Sequence, residues 1–346
     1  MRNSASSWSE GSLDKQEGKN NVVVTPIKGK SPKVSVLIPT YDYARYLSQT
    51  IESVLAQEFD DMEILIVDDC SRDNTKEILE KYRRLDDRIR VILNSSNLGM
   101  VNNWNLALSE ARGEYIKYLF GDDLLAAEDA IGQMVAALDS DPSIVLVASA
   151  RSIIDTQSRV LRVLSNFRDG TIMDGKEIIN ICMKRQKNLI GEPSTVMFRK
   201  KHSARGFNVQ YRQIVDLEMW FHILEFGNIL YIGKVLSSFR VHLEQQTEKN
   251  KSDIIAYTDT LLLLNDYLNK PYIKHIYFFR KYLLYDYYYS LWKLYKKRGV
   301  LDRNAVREII KGGYGLGKFF LFYPVYKIYK PYLKLKRRVV RPLSSS

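Results

Sequence analysis

Four short runs rich in β-branched and aromatic residues, at 34–39, 63–67, 89–93 and 115–120, alternate with stretches whose apolar residues recur at helical spacing. Between Arg45 and Gln57, Leu47, Ile51, Val54 and Leu55 fall on one helical face. Strands that alternate with helices are joined by crossovers, and crossovers build parallel sheet covered on both faces. The chain is therefore expected to be an α/β protein with a mostly parallel, doubly wound sheet. Such a sheet gathers the carboxyl ends of its strands along one edge, where ligands bind. Residues just past the strands become the first candidates for a site.

Two of the four runs end in adjacent carboxylates, Asp68-Asp69 after the second and Gly121-Asp122-Asp123 after the fourth. A single Gly-Asp-Asp stretch is an ordinary solvated turn. Two acid pairs on neighbouring strand ends are another matter, because like charges held close are costly unless a cation joins them to something else. A third acidic group, Asp216 with Glu218, opens a helix expected over 215–226. First-turn acids also favour the helix dipole, so the position admits a purely structural reading as well. Further helices are expected over 71–82 with Asp73 or Asn74 as cap, 100–111, 128–138 and 175–187, and further extended segments at 144–147, 192–198, 230–232 and 235–240.

In order and spacing, five stretches resemble the inverting glycosyltransferases of family 2, whose fold is called GT-A. They are Val34-Ser-Val-Leu-Ile-Pro-Thr-Tyr41, Ile66-Val-Asp-Asp-Cys-Ser-Arg-Asp-Asn-Thr75, Asn97-Leu-Gly99, Gly113-Glu-Tyr-Ile116 with Gly121-Asp-Asp123, and Asp216-Leu-Glu-Met-Trp220. The resemblance covers roughly residues 33–245 and implies a GT-A nucleotide-sugar-binding fold. It implies that Pro39 and Tyr41 lie against the nucleotide base, with Tyr41 supplying a stacking face. Tyr41 read by itself is equally a cover for the sheet edge. By the same resemblance Asp69 accepts a hydrogen bond from the base, Asp68 supports that turn, and Asp122 contacts the ribose. Asp123 is expected to ligate Mg²⁺ or Mn²⁺ bridging the diphosphate of a nucleotide-diphosphate sugar, with His242 as a further metal or diphosphate contact. Asp216 is expected to be the general base that takes the proton of the acceptor hydroxyl, with Glu218 and the stretch 191–194 near the acceptor. Attack opposite the leaving diphosphate then inverts the sugar. The sequence departs from the family at Cys70, where a glycine is usual, at Trp104-Asn105, where many relatives have Arg-Asn, and at Val215, commonly Glu. The second departure puts a cationic diphosphate contact in doubt. A non-catalytic sugar-nucleotide-binding or membrane scaffold that keeps the fold is the alternative. A nucleotidyltransferase is disfavoured, since Pro39-Thr-Tyr-Asp-Tyr43 is not a glycine-rich phosphate loop.

Charge sets the end of the chain apart. The net charge is +12, yet from Lys270 onward 19 Lys and Arg face three acids, Asp286, Asp302 and Glu308. The rest is mildly acidic, so a domain boundary is expected near 250, with a helical, aromatic-rich basic region over 251–346. Lys327, Lys330, Lys334, Arg337 and Arg338 share one helical face, while Val325, Ile328, Tyr329, Tyr332, Leu335 and Val339 lie mainly off it. Pro324 and Pro331 are expected to start or kink that helix. Two readings stand: an interfacial helix on an anionic membrane surface, or a helix packed on the catalytic domain with a solvated basic face. No motif of the usual nucleic-acid-binding modules is present. Residues 1–32 are polar and expected to be a disordered leader rather than a signal peptide. Cys70 and Cys182 form no Cys-x-x-Cys pair, and no run of apolar residues approaches a spanning length. These features lead to an expected cytoplasmic enzyme at the inner face of the cell membrane. Its expected acceptor is a saccharide or lipid-linked saccharide used for surface polysaccharide, and its expected partners include no nucleic acid.

Overall fold

Helices and strands alternate along the first two hundred residues of the computed structural model much as the apolar pattern requires. The structure describes residues 31–242, 255–273 and 316–339, with scattered helical positions between 285 and 307. The expected leader up to residue 30, and the side chains of Lys334, Arg337 and Arg338, lie outside the described residues. In chain order the elements are β1 (Val34–Thr40), α1 (Ala44–Leu55), β2 (Met62–Asp68), α2 (Thr75–Arg83), β3 (Ile89–Leu93), α3 (Met100–Glu110), β4 (Tyr115–Tyr118) and β5 (Leu124–Leu125). Next come α4 (Ala130–Asp139), β6 (Ile144–Ile154), β7 (Val160–Leu164), β8 (Thr171–Asp174), α5 (Gly175–Arg185), β9 (Val196–Arg199), α6 (Val215–Leu224) and β10 (Asn228–Arg240). Two helices follow, α7 (Ile255–Tyr267) and α8 (Leu316–Val339).

The strands form one sheet in the order β3-β2-β1-β4-β9-β6-β10-β5, with β7 paired to β6 and β8 to β10. Along that path β3, β2, β1, β4, β6 and β10 run one way, and β9 and β5 run against them. The mostly parallel, doubly wound expectation therefore holds. β1 and β2 are buried along their whole length, which explains their unbroken apolar runs. Their register sets Thr40 beside Asp68, and Leu37 of β1 pairs with Tyr118 of β4. The loops after these three strands thus meet at one edge. Leu47, Ile51 and Val54 of α1 pack on one face of the sheet, and Trp104, Ala107 and Leu108 of α3 pack on the other.

Two segments are longer than their sequence pattern suggests. β6 continues to Ile154 because its polar residues are paired inside: Ser152 bonds Ser238 at 2.7 Å, and Arg151 bonds Glu192 at 2.9 Å. β10 is one strand with irregularities between Ile232 and Val235 rather than two separate pieces. α2 starts only at Thr75, whose N–H and hydroxyl both donate to Asp73.

The region beyond 250 shares a core with the sheet. Leu263, Leu264 and Tyr267 of α7 join the cluster that holds Trp220 and Phe221. Tyr326 of α8 is buried against Tyr285, with ring centroids 4.9 Å apart. The outward side of α8 carries Phe320, Leu321, Val325 and Ile328, all exposed, with Lys318 and Lys327 exposed beside them. No described helix is long and apolar enough to cross a membrane.

Candidate active site

The β1–β2 edge comes first, because its geometry follows directly from the strand register. Asp69 holds the loop before α3: one oxygen accepts the Leu98 N–H at 2.7 Å, the other the Gly99 N–H at 3.0 Å. Asn94 donates to the same carboxylate at 3.1 Å. Asp68 accepts the Ser71 N–H at 3.0 Å and the Ser71 hydroxyl, and burial raises its pKa against those bonds. Between the acid pair and Ser71, Cys70 adopts φ 63°, the left-handed conformation a glycine supplies without strain. The cysteine bears the steric cost of that conformation. Tyr41 leaves 36% of its surface open beside Pro39.

The next loop carries Gly121, Asp122 and Asp123. A Cβ on Gly121 would stand 3.0 Å from the Thr40 hydroxyl and 3.3 Å from the Tyr43 ring, so the glycine lets the two loops touch. Beyond it the two acids part company. Asp122 lines the cleft, and its Oδ2 lies 3.0 Å from Nε2 of His242, whose ring packs against Tyr43 and Tyr46. Asp123 is fully buried behind it, outside the residues that line the cleft. Its Oδ2 accepts the Ser194 hydroxyl at 2.5 Å and its Oδ1 the Arg240 N–H at 2.9 Å. Burial, and then the neighbouring Asp122 charge, push the Asp123 pKa well up. Lys117, also fully buried, donates to the carbonyl oxygens of Tyr118 and Ser194. Burial drops its pKa to about 7 despite the opposing pull of Asp123. The division expected from sequence, with Asp123 as metal ligand and Asp122 on the ribose, is thus at odds with this packing. The reachable carboxylate is Asp122, and His242 stands with it rather than with Asp123.

Among the described residues no three His, Cys, Asp or Glu side chains converge as a complete metal cage. Asp122 supplies one hard oxygen at the cleft wall, and His242, just behind it, one imidazole nitrogen. That donor set would suit a divalent ion such as Mg²⁺ or Mn²⁺.

On the far wall Asp216 sits in the first turn of α6. Asn188 donates to its Oδ2 at 3.3 Å, and the Gly191 carbonyl that Asn188 also binds accepts the Trp220 indole N–H at 3.0 Å. Burial pushes the Asp216 pKa up to about 7, and the Glu192 charge adds to the shift. Glu192 itself is held by Arg151, with Nε 2.5 Å from its Oε2. Glu218 is not on this wall. Arg205 donates to both of its oxygens at 2.8 Å, away from the cleft.

One cleft of about 640 Å³ brings together Pro39, Tyr41, Asp69, Asp122 and Asp216 from the expected set, leaving Asp68, Asp123 and His242 outside the lining. It also takes in Phe120, Arg212 and Gln213, which no motif announced. Trp104 packs on Phe120 with centroids 4.9 Å apart and makes that wall aromatic. A second cleft, about 740 Å³ and lined in part by Arg199, Lys200 and Lys201, lies at the other end of β4 and holds none of the expected residues.

Comparison with known proteins gives the family and the fold. The family model described as Glycosyl transferase family 2 matches residues 35–207. The chondroitin synthase of Escherichia coli is 28% identical over 223 residues, which cover 64% of this chain and 31% of that protein. S. aureus TarS 1-349 in complex with UDP-GlcNAc superposes with a TM-score of 0.58 at 20% identity, over 77% of this chain and 73% of that one. The mannosyltransferase PcManGT from Pyrobaculum calidifontis, in complex with GDP-Man and Mn²⁺, superposes with a TM-score of 0.55 at 17% identity, over 92% and 88% of the two chains. At these identities the structural likeness speaks for the shared fold.

Proposed function

Because the chain belongs to glycosyl transferase family 2, we propose that it is a metal-dependent, inverting glycosyltransferase acting from a nucleotide-diphosphate sugar on an acceptor hydroxyl. The observation that carries this reading is the pairing of Asp122 and Asp216 in one cleft, with Tyr41 and Asp69 at its far end. Tyr41 offers a face for the nucleotide base, with Pro39 beside it, and Asp69, fixed by its amide donors, holds the loop beneath. Asp122 and His242 hold the divalent ion, Mg²⁺ or Mn²⁺. When bound, that ion offsets the negative charge that develops on the leaving diphosphate. Asp123, with Ser194, Arg240 and Lys117, keeps the Asp122 turn in place. Asp216 accepts the proton of the acceptor hydroxyl as its oxygen attacks the anomeric carbon opposite the diphosphate. A base whose pKa lies near 7 is well matched to that proton at neutral pH. The aromatic wall of Trp104 and Phe120 limits water around the reacting carbon.

The acceptor we propose is a saccharide or lipid-linked saccharide, met at an anionic membrane surface on the cytoplasmic side. The outward Phe320, Leu321, Val325 and Ile328 of α8, with Lys318 and Lys327 beside them and the basic excess after residue 270, support that reading. The polymer-making relative in Escherichia coli is consistent with surface polysaccharide as the product. A scaffold that merely binds sugar nucleotide has no use for a carboxylate placed opposite the donor in the same cleft.

The test is a thermal-shift and calorimetric screen of UDP-, GDP- and dTDP-sugars with Mn²⁺ present, followed by transfer assays with the wild type and Asp216→Asn. Binding of at least one donor, with turnover lost in the variant, is the expected result. Failure of every donor to bind would sink the proposal. Binding without turnover on any acceptor would favour the scaffold.

A further inference from the structure

The cleft is short of positive charge. Six carboxylates line it, from Asp42, Asp69, Asp73, Asp122, Glu192 and Asp216, and among the described lining residues Arg212 alone is basic. All six have protein partners: the Arg72 N–H for Asp42, Leu98 and Gly99 for Asp69, Ala44 and Thr75 for Asp73, Arg151 for Glu192, His242 for Asp122 and Asn188 for Asp216. A ligand that brings phosphate into this space needs a cation in addition to whatever Asp122 holds.

Arg212 is exposed, yet its backbone is fixed from outside the sheet domain. The N–H groups of Arg212, Gln213 and Ile214 all donate to one oxygen, Oδ2 of Asp259, at 2.8, 2.6 and 3.2 Å. Asp259 lies on α7 and is 2% exposed. The hydroxyl of Tyr211, next to this trio, donates to Asp266 of the same helix at 2.7 Å. The loop that leads into α6, and so into Asp216, is therefore held by the helical region after residue 250. Beside Arg212, the side-chain carbonyl of Gln213 is buried with no hydrogen-bond partner among the described residues. A buried acceptor left in this state invites a ligand N–H or O–H.

We infer that Arg212 and Gln213 form a subsite for phosphate oxygens and an adjoining hydroxyl, and that Asp259 is the residue that positions it. The inference rests on the transferase reading above. A guanidinium meets phosphate through paired charge-assisted hydrogen bonds, and Gln213 accepts from a sugar hydroxyl. The phosphate is either the donor's diphosphate or a phosphate that joins the acceptor to its lipid. The helical region thereby completes the active site.

The experiment uses the full chain with Mn²⁺ and calorimetric titration of UDP, GDP and dTDP, together with acceptor KM in the transfer assay. Arg212→Ala is expected to weaken the nucleotide that binds the wild type by about tenfold or more, with Arg212→Lys recovering part of the loss. That result assigns the donor's diphosphate. An unchanged nucleotide affinity with acceptor KM raised about tenfold assigns the acceptor's phosphate instead. If neither quantity moves in Arg212→Ala, the subsite is wrong while the transferase reading stands. If the wild type binds none of UDP, GDP and dTDP, both fall together. Asp259→Asn, or Asp259→Glu should the first fail to fold, is expected to reproduce the Arg212→Ala loss. The double variant is then expected to lose no more than the weaker-binding single variant. Additive losses would overturn the positioning role.

Discussion

The two ends of the cleft are held in different ways. At the nucleotide end β1, β2 and β4 lie in parallel register, and each site residue stands within a few positions of a strand end. The bonds that fix it run within and between these loops, as when Asp68 takes the Ser71 N–H and Asp69 takes those of Leu98 and Gly99. At the acceptor end Asp216 rides a helix whose lead-in is fastened to Asp259 of α7, and its neighbour Glu192 is held by Arg151 on β6. One end is built from loops that meet at adjacent strand ends, the other from packing against a helix farther along the chain. Changes at the first should act on donor binding, and changes at the second on turnover and acceptor choice.

The largest effects are expected at the two cleft carboxylates, Asp216 and Asp122. Asp216→Asn is expected to lower turnover by about a thousandfold, the scale of a lost general base, while nucleotide affinity stays within about twofold. A parallel fall in affinity would show that the two ends are not independent. On the other wall, His242→Ala and Asp122→Asn should each weaken Mn²⁺-dependent nucleotide binding by about tenfold or more, measured by calorimetry. Asp123→Ala should instead show itself in stability, lowering the melting temperature, because it leaves the Ser194 hydroxyl and the Arg240 N–H unpaired inside. If Asp123→Ala kept its melting temperature and lost only metal-dependent binding, the division drawn here between the two acids would be reversed.

pH offers a gentler test. Asp216 must be ionised to act, so the rate should rise with pH through about 7 and flatten above it, and Asp216→Asn should lack that limb. Stability runs the other way. The folded pKa lies above the ordinary carboxylate value, so the folded chain binds this proton more tightly than the unfolded one. This group's contribution is present at acid pH and is lost as pH rises from about 4 to about 7. At pH ~8 Asp216→Asn should melt above the wild type even though it is inactive. The smallest effect is expected at Cys70. Cys70→Gly should stabilise the chain by about 0.5–1 kcal/mol in thermal unfolding by removing a side chain from the left-handed region.

The same contrast explains what was legible in the sequence. The runs in β1, β2 and β3 are apolar because both faces are covered, so periodicity and flanking turns reveal them. β6 and β10 are obscured by Ser149, Arg151, Ser237 and Ser238, polar residues that sit inside the sheet and look like loop until their partners are known. Gly121-Asp122-Asp123 could be located but not divided. Adjacent carboxylates look alike in a sequence, and only Ser194 and Arg240, brought in from far along the chain, tell the buried one from the reachable one. Arg212 and Gln213 belong to no motif, and Asp259 lies past what charge balance suggests is a boundary. Leu263, Leu264 and Tyr267 of α7 are buried in the same cluster as Trp220.

The pair of cysteines has a practical consequence. Cys182 is buried, with its thiol pushed up to about 12, whereas Cys70 is partly open in the loop between Asp69 and Ser71. A maleimide dye should therefore label one position, next to the residue that organises the nucleotide end. Fluorescence from that single label would report occupancy of the donor site in real time, without an acceptor, a product assay or a mutation.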